Sequence, residues 1–108
     1  MAGKQKRLVY VELKSGYAVN GPTWIGWGKF TRTGRSLYFH DKMLQACKGG
    51  GVAGNFIDVA MGEEYWVSGP KKNGRDRHRH GGGSVLIDVD AAEVYWREVR
   101  GVAPPASR

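Results

Sequence analysis

Glycine inside a strand-like run constrains this chain's fold more than any other feature. In Trp24-Ile-Gly-Trp-Gly-Lys-Phe30, alternation puts Trp24, Gly26, Gly28 and Phe30 on one side and Ile25, Trp27 and Lys29 on the other. A glycine offers a pleated surface nothing to pack, so Gly26 and Gly28 mark a bend, a bulge or a close approach. Small closed barrels need such bends, and Gly makes up 17 of the 108 residues.

The rest of the chain repeats the pattern in short pieces. Leu8-Val-Tyr-Val-Glu-Leu13 is strand-like, with Val9, Val11 and Leu13 on one face. Thr31 to Gly34 is a turn, and Arg35 to His40 returns with Leu37 and Phe39 alternating against Ser36, Tyr38 and His40. Asp41 to Lys48 reads either as one helical turn capped by Asp41 or as a short strand through Met43 and Leu44. Phe56 to Val59 and Glu64 to Ser68 flank a turn at Ala60 to Glu63, and Val85 to Ile87 is a short buried strand. The period then changes. Ala92, Tyr95, Trp96 and Val99 recur at helical spacing, Asp90-x-x-Glu93 matches a capping box, and Gly101 is a stop, so a helix is expected from Asp90 to Arg100.

These elements predict a mainly β domain, a small, strongly bent antiparallel sheet or SH3-like barrel of about five strands with a carboxy-terminal α-helix. The expected organisation is a basic amino-terminal arm over 1–7, a single β-rich domain over 8–101 and a tail over 102–108. A chain of this length buries a modest core without staples. Lone Cys47 excludes an intramolecular disulfide and suits a reducing cytoplasm, and no apolar run reaches membrane-span length.

Charge carries the functional reading. The formal net charge is +7, and the cations are clustered. Lys71, Lys72, Arg75, Arg77 and Arg79 stand against Asp76 in one stretch, between Gly69-Pro70 and Gly81-Gly-Gly83. A loop so polar belongs on the surface, where loops bind or react. Lys4, Lys6 and Arg7 form a second group, and Lys29, Arg32 and Arg35 a third. Clustered Lys and Arg neutralise phosphates, and nearby aromatics give unpaired bases a face to stack on. The expectation is a non-enzymatic nucleic-acid-binding module, with RNA or single strands preferred. Its phosphate contacts would be Lys71, Lys72, Arg75, Arg77 and Arg79, extended by Arg32 and Arg35, with His78 and Trp66 at the bases. Trp24, Trp27 and Trp96 are expected in the core.

Other readings use the same residues. A metal-independent nuclease would take His78, His80 and Asp76 as acid and base, with Lys71 stabilising the transition state. An interaction module would offer its basic rim to an acidic protein. His78, His80, His40 and Cys47 are the raw material of a zinc site, but an Arg-rich loop repels a cation, and no metal or cofactor is expected. Gly49-x-Gly51-x-x-Gly54 matches the dinucleotide fingerprint in letters only, because it leads into the strand-like Phe56-Ile-Asp-Val59 rather than a helix.

Several blocks carry a resemblance: Val9 to Tyr17, Gly21 to Gly26, Gly54 to Asp58, Gly62 to Gly74, and Asp76-Arg-His78. They resemble a family of short bacterial proteins often labelled 1-deoxy-xylulose-5-phosphate synthase. That label implies a large thiamin-dependent, transketolase-like enzyme, whose cofactor-binding domains 108 residues do not hold. What the resemblance implies is a bacterial, cytoplasmic origin; it implies no activity and no site.

Overall fold

Residues 5–15, 22–47, 54–72 and 85–103 are described by the computed structural model. They form β1 (Gln5–Leu13), β2 (Thr23–Phe30), β3 (Ser36–Phe39), β4 (Lys42–Ala46), β5 (Phe56–Asp58), β6 (Glu64–Ser68) and β7 (Leu86–Ile87). The short helix α1 (Val89–Val94) follows and runs into a π-helical turn, Tyr95–Val99. The strand order β1-β6-β5-β4-β3-β2 closes through a β1–β2 pairing, giving a six-stranded antiparallel barrel with β7 added parallel to β2. The mainly β reading with a terminal helix holds. The ambiguous stretch after Asp41 is strand β4, paired with β3 and β5.

The alternation read from the sequence sorts side chains between two clusters. Inside the barrel, Val9, Val11, Leu37, Phe39, Leu44, Phe56, Tyr65 and Val67 are buried together, with Leu13, Trp24 and Phe30 packed against them. Each such aliphatic or aromatic side chain contributes about 1.5–3 kcal/mol on burial. Gly28 lies on this inner face, where a Cβ would stand 2.6 Å from Leu37 Cδ1. On the outer face of β1 and β2, Tyr10 and Ile25 are buried against Tyr95, joined by Trp66, Trp96 and Val99. The helical segment therefore covers one wall of the barrel.

That outer wall also holds a buried ion pair. Glu12 is fully buried, Lys14 is 5% exposed, and their charged atoms lie 3.1 Å apart. The Tyr10 hydroxyl donates to the other Glu12 oxygen at 2.9 Å. A carboxylate taken out of water is tolerable only with such partners.

Two local expectations are corrected. The helix is capped by Asp88, not Asp90, without a side-chain capping bond, and Glu93 pairs with Arg97 instead. Asp88 is engaged elsewhere, as described below. Strand β1 starts at Gln5, so Lys6 and Arg7 belong to the barrel wall rather than to an arm. The stop at Gly101 is as expected: its φ is 69°, and the Val102 amide donates back to the Trp96 carbonyl at 2.9 Å.

Candidate nucleic-acid interface

In an antiparallel barrel the starts of β1, β3 and β5 share one rim with the ends of β2, β4 and β6. Lys6 and Arg7 lie at the start of β1, Lys29 at the end of β2, and Arg32 and Arg35 in the β2–β3 turn. Lys71 and Lys72 follow the end of β6. Groups far apart in sequence thus meet on one rim, and all but Lys71 and Lys72 lie on the β1–β2–β3 stretch. Asp41, Asp58 and Glu63 sit at the opposite rim, and the Glu64 carboxylate accepts from the Gly54 amide just before β5.

The register gives the interface its geometry. Lys6 pairs directly with Lys29 across β1–β2, and Lys29 with Tyr38 across β2–β3. Tyr38 in turn pairs with Met43 across β3–β4. All four fall on the outer face, and Lys6, Lys29, Tyr38 and Met43 are exposed. Neighbouring strands are about 4.8 Å apart, so this row spans about 14 Å. Like charges directly opposite each other are destabilising. The Lys6 ammonium lies 4.9 Å from the centre of the half-buried Trp27 ring, an attractive contact for that cation. At the barrel mouth the Arg7 guanidinium sits 5.8 Å from the Phe30 ring.

The residues singled out from the sequence divide as follows. Lys71 and Lys72 are exposed, as are Arg32 and Arg35. Trp66 is half-buried in the outer cluster, opposite Glu12 in register. Trp24 is half-buried against the inner cluster and Trp96 against the outer one; the Trp27 indole N–H donates to the Asp90 carbonyl at 3.1 Å. Arg75, Asp76, Arg77, His78, Arg79 and His80, with Gly49 and Gly51, lie outside the described residues. Lys6, Lys29 and Tyr38 were missed as a set. The signal was there: pairing the first two strands as neighbours brings the amino-terminal lysines beside the Lys29 group.

At the other rim stands a second constellation that spacing did not reveal. His40 opens the two-residue β3–β4 turn with φ at 54°, a left-handed conformation uncommon outside glycine and asparagine. Its Nε2 lies 2.9 and 3.2 Å from the two Asp88 carboxylate oxygens, and its ring stacks on Phe39 at 4.1 Å between centroids. The carboxylate occupies the space left by Gly26, where a Cβ would stand 2.0 Å from Asp88 Oδ2. This is where β2 exchanges β3 for β7 as its neighbour, and the Asp88 amide closes the joint by donating to the Ile25 carbonyl at 2.8 Å. His40 and Cys47 lie at opposite ends of β4, about 17 Å of strand apart, so they do not share a site.

On the same side, burial first and the charges of Glu63 and Asp58 second push the Tyr65 phenol up to about 12. The phenol also donates a hydrogen bond to Glu63.

Among the described residues no helix is long and apolar enough to cross a membrane. Comparison with known proteins adds no relative: no protein family, no curated protein and no solved structure matches the chain.

Proposed function

We propose that this chain is a nucleic-acid-binding module that takes RNA or another single strand along the basic rim and the outer face of β1–β3. The observation that carries the reading is the Lys6–Lys29 cross-strand pair, set on a rim that also gathers Arg7, Arg32 and Arg35. Such a pair lowers stability in the free protein, and a polyanion laid across it removes the repulsion. Tyr38, next in the row and 36% exposed, offers part of a ring to an unpaired base. A duplex hides its base faces, which favours a single strand.

The described groups this reading uses there, Lys6, Lys29, Arg32, Arg35 and Tyr38, serve contact rather than acid–base cleavage. In this reading Arg75, Arg77, His78 and Arg79 add further cationic contacts. A cytoplasmic, bacterial setting belongs to the same proposal, supported by the lone, exposed Cys47 thiol and by the resemblance to short bacterial proteins.

The test is a pair of variants in a binding assay with labelled single-stranded RNA. Lys6→Ala/Lys29→Ala removes the row, and Lys71→Ala/Lys72→Ala/Arg75→Ala removes the loop. Each lost phosphate contact should flatten the log–log salt dependence by about 0.7 for a single strand. If both variants bind as the parent does, this surface is not the interface.

A further inference from the structure

The row across β1–β4 changes character at its midpoint. Lys6 and Lys29 stand directly opposite each other on β1 and β2, and both are exposed. Tyr38 on β3 and Met43 on β4 continue the row, and neither carries a charge. A strand laid lengthwise along it would set one phosphate at the lysines and bring the next over a ring and a thioether, which neutralise nothing. The row therefore suits one phosphate with one base beside it, not a run of nucleotides. The cations that would hold a run, Arg7, Arg32, Arg35, Lys71 and Lys72, lie along the rim instead.

The lysine pair selects the kind of phosphate. Residues directly opposite in an antiparallel pair are about 5 Å apart, so both ammoniums can reach the same group. Lys6 is steadied there, its ammonium 4.9 Å from the centre of the Trp27 ring. Trp27 is itself tied by its indole N–H to the Asp90 carbonyl at 3.1 Å, and it shares the outer face with Lys29, two residues on. An internal phosphodiester brings a single negative charge and leaves half of the pair's charge unmatched. A terminal phosphomonoester brings about −1.5 to −2 at neutral pH, on three acceptor oxygens. Only the end of a strand supplies that group.

We propose that Lys6 and Lys29 together seat a terminal phosphate of the bound strand, with its end base lying against the Tyr38 ring. This rests on the reading of the rim as a single-strand interface and narrows it: the rim follows the strand, and the row takes its end. Repulsion within the pair is the source of selectivity, since a dianion relieves it fully and a monoanion only in part. Tyr38 is the direct partner of Lys29 across β2–β3 and is 36% exposed, which puts its ring one position from the phosphate seat.

One single-stranded RNA sequence, prepared with different ends, tests this by fluorescence anisotropy at fixed salt. The ends are hydroxyls throughout, a 5′-phosphate, a 3′-phosphate, and each phosphate as its methyl ester, which keeps the phosphorus and loses a charge. One of the two monoesters should bind about tenfold tighter than the hydroxyl-ended strand, as a charge-assisted contact predicts, and which one responds gives the strand's direction. Its methyl ester should lose much of that gain. Lys6→Ala/Lys29→Ala should bind every form alike and, with the like-charge pair gone, should unfold no more readily than the parent. The comparison of ends is made on the parent protein, so it decides the matter whatever the variant's stability. Equal, salt-dependent affinity for every end would leave the rim a nucleic-acid interface and overturn this role for the pair. A preference that survives Lys6→Ala/Lys29→Ala would overturn it too. Binding of no strand at all would sink the single-strand reading, and this inference with it.

Discussion

The two rims of this barrel are built from the same strands and differ in what those strands present. One gathers Lys6, Arg7, Lys29, Arg32 and Arg35 on the β1–β2–β3 stretch, with two lysines directly opposite each other. The other sets Asp41, Lys42 and Asp58 beside the exposed Met43 and Met61 and holds His40 against Asp88. Both tolerate something a stability-optimised fold would not: a like-charge pair at one end, bare apolar side chains and a left-handed histidine at the other. Costs of this kind concentrate where a protein meets a partner. The shared wall between the rims, by contrast, has its core packed and its buried charges paired.

Removing that wall should erase the comparison altogether. Lys14→Met leaves the fully buried Glu12 with a carboxylate that has lost its cation, at a cost of about 3 kcal/mol or more. Urea unfolding measures it; a loss under about 1 kcal/mol would mean Glu12 is compensated by its other bonds.

Gly26→Ala acts at the joint between β2, β3 and β7. The new Cβ displaces the Asp88 carboxylate, frees His40 and should cost about 2 kcal/mol. RNA affinity, measured well below the unfolding midpoint, should be retained, because the lysine row is left intact. A variant as stable as the parent would show that Asp88 has room to move.

Lys29→Glu sharpens the contrast in the other direction. It replaces a like-charge pair with an opposite one beside Lys6, so stability should rise by about 0.2–1 kcal/mol while RNA affinity falls. Opposite signs are the signature of a residue kept for binding. If stability and affinity fall together, the lysine row is part of the structural framework.

The smallest effect is in the alkaline limb. Tyr65 is held protonated to about pH 12 in the fold, against about 10 when unfolded, so between these values the folded state binds more protons. Stability is complete below about pH 10 and should decline as pH rises toward 12. Tyr65→Phe should lessen that decline, a change read from unfolding midpoints across the alkaline range.

Much of the fold was legible because it rests on periodicity. Alternation alone placed Val9 and Val11 inside the barrel and set Ile25 and Trp27 against the helix. Helical spacing placed Tyr95, Trp96 and Val99 on the packed side, but the alanine buried there is Ala91 and not Ala92. The strand count fell short at β4, where Asp41 to Lys48 reads equally as a helical turn or a strand and five residues carry too little period to decide. The capping box misled because Asp88, out of register for it, caps the helix while its carboxylate is drawn to His40, 48 residues away in the chain. Composition found the cations but not their assembly, which depends on which strand neighbours which. His40 and Asp88 gave no local signal, since nothing in either neighbourhood encodes the other.

The measurement that tests the central claim most directly is binding of labelled single-stranded RNA to the intact protein across a salt series, with strand integrity checked after incubation. About four phosphate contacts on the basic rim predict a log–log slope near −3, with strands recovered whole and a duplex bound more weakly. No binding at low salt, or affinity indifferent to salt, would contradict a nucleic-acid role for that rim. Cleavage that survives metal chelation would show that the rim acts on its strand rather than only holding it.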